Sequence, residues 1–154
     1  MSKAPSQPFL ALVPFLAVCA MPLTASAQAV FHQAPGASES APYSTAVVAN
    51  GEIYLSGGLG MKPGESTLVE GGIGPQTTQI LKNFEATLTS LGADMSDVIK
   101  CNVYLDDIGD YGAMNEAYTA AFPGNKPART TVAVEALPRE AAVEIACIAL
   151  APDQ

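Results

Sequence analysis

The sequence predicts an α+β domain: a single mixed sheet in the order β-β-α-β-α-β-β, with two helices packed on one of its faces. Three observations lead there. Along the middle of the chain, apolar residues recur with a strand period and then a helical one, twice over. An Asn50-Gly51 pair sits between two β-branched runs, the strongest short hairpin signal known. Two further strand-like runs, ARTTVAVE and AVEIACIAL, close the domain.

Taken in order, residues 1–27 read as an export signal. Lys3 supplies the positive end, Phe9 to Val18 the apolar core, and Ala25-Ser26-Ala27 the small-residue cleavage pattern, so the mature chain starts near Gln28. Pro14 and Pro22 break the run, which is too short to span a bilayer. Cys19 follows Val18 rather than a small residue, which argues against lipid attachment. The expectation is one domain over residues 28–154, periplasmic or secreted and free of the membrane once cleaved. Residues 33–42 (QAPGASESAP) are turn-rich and read as a loop. STAVVANGEIYLSG reads as the hairpin, and GLGMKPGESTLVEGGIGP as a glycine-rich surface loop with room for one short strand.

From Gln76 to Leu91 the spacing of Ile80, Leu81, Phe84, Leu88 and Leu91 predicts a helix, with Gly92 as its stop. Ser96 and Asp97 turn the chain into the strand VIKCNVYLDD. A second helix, DYGAMNEAYTAAF, marks its buried side with Tyr111, Met114, Tyr118 and Phe122, and Pro123-Gly124 ends it.

Bulk properties narrow the function. The chain has 154 residues, 7 basic against 15 acidic, for a net charge of −8, and the leader carries only a basic residue. That balance repels phosphate backbones and argues against nucleic acid as a partner. Only 14% of residues are charged. A sheet with helices on one face and so little charge on the other is expected to self-associate. Cys101 and Cys147 lie inside apolar runs, where they are either bridged, as export permits, or buried as free thiols.

The last two strands each keep one charge in an otherwise buried pattern. Arg129 is either a solvated residue at a strand mouth or a planar fork for a carboxylate. Glu144, between Val143 and Ile145, is either a solvent-facing or salt-bridged edge residue, or a carboxylate that positions water or accepts a proton. His32 is the single histidine and falls in a loop near the start, which leaves a Ser-His-Asp arrangement without its base. Metal-ligand clusters are absent from the sequence, so no metal is expected. Gly57-Gly58-Leu59-Gly60 leads into a Pro-Gly loop rather than a helix and fails the context of a nucleotide fingerprint.

The runs APYSTAV, IYLSGGLG, NFEATLTSLGA, VIKCNVYL, MNEAY and PARTTVAVEALPREAAVEIACIA, in this order, resemble the RidA (YjgF) family of imine and enamine deaminases over roughly residues 34–150. The resemblance implies a homotrimer of chorismate-mutase-like α+β subunits, sheets inside and helices outside, with active sites in clefts between subunits and no cofactor. It implies hydrolysis of 2-imino acids such as 2-iminopropanoate and 2-iminobutanoate to 2-oxo acids and ammonia. Arg129 matches the arginine that grips the substrate carboxylate, and Glu144 the glutamate that positions the water. Tyr43, Ser56 with Gly57, Asn115 and Thr131 match further cleft positions.

Departures from the family pattern are Ala41, Thr45, Gly58 and Thr131, the last standing where a cysteine is common; they bear on substrate preference. Two other readings accompany the match: a trimer that binds small carboxylates without turnover and, disfavoured by the acidic balance, an endoribonuclease. If the last two strands formed a simple hairpin about residues 137–140, Arg129 and Glu144 would sit four positions out of register, roughly 13 Å apart. The family topology instead inserts the Cys101 strand between them, which makes a Cys101–Cys147 bridge geometrically possible.

Overall fold

The computed structural model describes residues 28–34, 37 and 40–152; the expected export signal, Cys19 included, lies outside the described residues. A six-stranded sheet runs in the order β1-β2-β3-β6-β4-β5. Its strands are β1 (Val30–His32), β2 (Ala46–Ala49), β3 (Glu52–Leu59), β4 (Val98–Leu105), β5 (Ala128–Ala133) and β6 (Val143–Leu150). The helices are α1 (Ile73–Ser90) and α2 (Tyr111–Ala121). All neighbours are antiparallel except β4 and β5, so the sheet is mixed.

The expected order of elements is present, with one addition. β1 pairs with β2 and places His32 at a sheet edge rather than in a loop. Three residues are too few to show a period, and side chains specify the pairing instead. Thr45 Oγ1 accepts from the Ala34 N–H and donates to Gln33 Oε1, while Gln33 Nε2 donates to the Tyr43 carbonyl.

Asn50 (φ 53°) and Gly51 (φ 78°) are both left-handed, which gives the two-residue turn whose twist suits a hairpin. α1 begins at Ile73, three residues before the predicted start, because Gly74 and Pro75 in its first turn obscure the helical signal. It ends against Gly92, whose N–H donates to the Thr89 carbonyl. The short loop strand reduces to a single bridge, Met61 with Leu68.

The core lies between sheet and helices. Ile53, Leu55, Val103, Leu105, Val143 and Ile145 face Ile80, Leu81, Phe84 and Leu88 of α1, and Met114, Tyr118 and Phe122 of the α2 region. Each such aliphatic residue contributes about 1.5–3 kcal/mol by burial.

β4 separates β5 from β6, so the last two strands of the sequence do not touch. Cys101 and Cys147 stand directly opposite each other on β4 and β6 and form a disulfide, with Cα atoms 4.1 Å apart. Both cysteines are buried.

Among the described residues, the opposite face of the sheet carries no helix. One row across it holds Phe31, Val47, Tyr54, Ile148 and Lys100; another holds Leu59, Glu144, Tyr104 and Val132. Phe31 is 70% exposed and Val132 43% exposed, so large apolar groups stand in the open on this side.

Candidate functional site: two half-sites on opposite faces

Arg129 pairs with Cys101 across β4 and β5, which aims its side chain at the helices. Residues 111, 114, 115 and 118 form one stripe along α2, and that stripe encloses the guanidinium. Nη2 donates to Asn115 Oδ1 at 2.6 Å and to the Tyr111 hydroxyl at 3.2 Å, and Nη1 donates to Met114 Sδ at 3.7 Å. The guanidinium carbon lies 4.6 Å from the centre of the Tyr118 ring and 5.6 Å from that of Tyr111. Cation–π attraction therefore adds to the hydrogen bonds.

This environment perturbs both tyrosines. Burial pushes the Tyr118 hydroxyl up to about 12, against an opposing pull from Arg129. Tyr111 is held below the usual tyrosine value, first by its hydrogen bond with Asn115 and then by Arg129. Thr131 follows on the same face of β5. Its Oγ1 and the Tyr118 hydroxyl are buried and have no hydrogen-bond partner among the described residues.

Glu144 sits on the other side of the sheet. Its row neighbours are Leu59 on β3 and Tyr104 on β4. The carboxylate is half-buried and makes no hydrogen bond or ion pair among the described residues. A bulge in β3 between Leu55 and Gly58 brings Gly57 beneath it. A Cβ at position 57 would lie 2.1 Å from Glu144 Oε1, so only glycine leaves room for this carboxylate.

The preceding bulge residue, Ser56, is anchored through its hydroxyl to the Ser44 carbonyl at 2.6 Å and through its N–H to the Thr45 carbonyl at 3.1 Å. Those bonds tie the bulge to the segment that carries Tyr43, whose side chain is exposed. At the other end, Gln76 Oε1 accepts from the Ala142 N–H and fixes the chain just before β6.

Two groups result. Arg129, Asn115 and Thr131 come together on the helix side; Glu144 and Gly57 come together on the open side, with Ser56 and Tyr43 linked to them by backbone. One subunit does not bring the two groups together. Through β4, Arg129 aligns with Cys147 while Glu144 aligns with Val132, so the charges are displaced along the strands as well as pointing to opposite faces.

The sequence reading missed Tyr111, Met114 and Tyr118 as partners of the arginine, having assigned all three to core. Met114 and Tyr118 are indeed buried, but Tyr111 is 43% exposed, which corrects its placement on the buried side. The available signal was Asn115, a polar residue inside an otherwise apolar helical stripe.

Residues 31–151 match the family model described as Endoribonuclease L-PSP. The chain is 44% identical over 108 residues to 2-iminobutanoate/2-iminopropanoate deaminase of Rattus norvegicus, covering 70% of this chain and 79% of that protein. To the Homo sapiens protein of the same name it is 42% identical over 118 residues, covering 77% and 85%. Among solved structures, RidA from an Antarctic Psychrobacter species matches with a TM-score of 0.73 at 35% identity, covering 79% of this chain and 98% of that one. The YjgF gene product of E. coli matches with a TM-score of 0.70 at 30% identity, covering 77% and 93%.

Proposed function

The chain belongs to the endoribonuclease L-PSP family, the RidA or YjgF group, and we propose that it hydrolyses reactive 2-imino and enamine acids to 2-oxo acids and ammonia. 2-Iminopropanoate and 2-iminobutanoate are the substrates by analogy with the relatives' names. The observation that carries this reading is the pairing of a preorganised guanidinium with a carboxylate that has no partner among the described residues. Arg129 is held rigid by α2, while Glu144 waits in a glycine-floored recess.

In this reading Arg129 and Thr131 hold the substrate carboxylate, and orientation supplies much of the acceleration. Glu144 holds a water against the imine carbon and takes its proton as the C–O bond forms. The proton then passes to the nitrogen to give the carbinolamine, the remaining O–H proton follows it as the C=O bond forms and the C–N bond breaks, and ammonia leaves. One water is consumed for each imine, so the step balances without a cofactor. Tyr43, Ser56 with Gly57, and Asn115 line the cleft.

Because the two half-sites face opposite ways, one complete site requires two copies of the chain. A homotrimer that buries the open apolar face would set the Glu144 side of one subunit against the Arg129 side of the next. The buried Cys101–Cys147 disulfide suits an oxidising compartment and supports export to the periplasm or beyond.

The test generates 2-iminopropanoate in situ with an amino-acid oxidase and follows its decay against semicarbazide as a competing trap. The mature protein should accelerate decay, and Arg129→Ala and Glu144→Gln should each abolish the acceleration. Full activity in Glu144→Gln would remove that residue from the mechanism.

A further inference from the structure

We propose that Tyr111 is a substrate-binding residue whose hydroxyl donates a hydrogen bond to the carboxylate gripped by Arg129. The inference rests on Arg129 as the carboxylate anchor and extends it to a residue outside the matched family positions.

A phenol oxygen has one proton to give and two acceptor positions. At Tyr111 one acceptor position is occupied, because Arg129 Nη2 donates to the hydroxyl oxygen at 3.2 Å while Asn115 Oδ1 faces the same guanidinium nitrogen. The hydroxyl proton has no acceptor among the described residues, and the side chain is 43% exposed at the first position of α2. Such a proton is available to a hydrogen-bond acceptor on a ligand.

The guanidinium points the same way. Both hydrogens of Nη2 are engaged by Tyr111 and Asn115, and one on Nη1 is engaged by Met114, which leaves the Nε–H and one Nη1–H for a ligand. A carboxylate has about four acceptor positions. Two N–H groups and the Tyr111 O–H meet that demand better than the arginine alone, and they favour an acid over the corresponding amide. The lowered Tyr111 value makes its proton a stronger donor.

The test measures the affinity of the product 2-oxobutanoate by calorimetry for the wild-type protein, Tyr111→Phe and Arg129→Ala, alongside KM and kcat for 2-iminobutanoate. Phenylalanine keeps the ring beside Arg129 and removes only the hydroxyl. Affinity should fall about ten-fold and KM rise in parallel, the scale of one hydrogen bond to a charged group, with kcat within about two-fold of wild type.

A pH series separates donation from mere positioning of Arg129. Wild-type affinity should decline toward the Tyr111 value as pH rises above about 9, whereas the variant's should stay flat. The ionisable neighbours around this hydroxyl are Arg129 on β5 and Tyr118 on α2, and burial raises the ionisation of Tyr118 to about 12.

Equal affinities in wild type and Tyr111→Phe, or parallel pH profiles, would overturn the role of Tyr111 and leave Arg129 as the anchor. Wild-type binding no tighter than that of Arg129→Ala would overturn both. Binding without turnover would defeat the deaminase reading, while the affinity ratio still decides Tyr111.

Discussion

The helix-side and open-side half-sites solve the same problem, a charge in a largely apolar sheet, in opposite ways. Around Arg129, one stripe of α2 supplies two oxygens, a sulfur and two aromatic faces. Around Glu144 the subunit supplies space instead: a β3 bulge and a glycine where any side chain would collide with the carboxylate. A half-buried carboxylate without a partner among the described residues keeps its acceptor positions free to hold a water. On the proposed reading, the contrast places binding precision within the subunit and leaves the reacting group to be completed by another copy.

Substitutions sharpen that contrast. The largest effect is expected from Glu144→Gln, which should lower kcat on the order of a thousand-fold while leaving 2-oxobutanoate affinity nearly intact. Arg129→Ala should instead destroy affinity, and steady-state kinetics beside calorimetry would separate the two. Next comes Gly57→Ala, whose Cβ would lie 2.1 Å from Glu144 Oε1. Displacing the carboxylate by about 1 Å should cost roughly a hundred-fold in kcat with little change in melting temperature.

The disulfide joins the strand that carries Glu144 to the strand beside Arg129 and closes a span of 46 residues. Replacing Cys101 and Cys147 together by alanine should cost about 2–4 kcal/mol, read as a lower urea midpoint.

The smallest effect concerns alkali. Tyr118 has its ionisation raised to about 12 when folded, against about 10 unfolded. The folded state therefore holds the proton more tightly, and stability should be flat below pH 10 and fall from there toward 12. Tyr118→Phe should lessen that fall in alkaline denaturation curves.

The sequence made much of this arrangement legible, for reasons that differ between elements. The hairpin was readable because Asn50 and Gly51 meet a backbone demand few residue pairs can meet, and α1 because its apolar stripe is long. β1 was not, because Gln33 and Thr45 specify its pairing rather than its own pattern. Arg129 and Glu144 stood out as charges in buried runs. Strand parity within either run could not show that they face opposite ways, since that depends on β4 lying between β5 and β6. The nest around Arg129 was hidden for a related reason: Tyr111, Met114 and Tyr118 satisfy the pattern of core residues while serving the arginine.

Subunit complementation tests the central claim most directly. Arg129→Ala and Glu144→Gln proteins, each inactive, are unfolded together in equal amounts and refolded, and 2-iminopropanoate decay is followed. If each site takes Arg129 from one subunit and Glu144 from its neighbour, random mixing restores about a quarter of the sites and a corresponding share of wild-type activity. A mixture as inactive as its parents, with oligomers formed normally, would contradict the account.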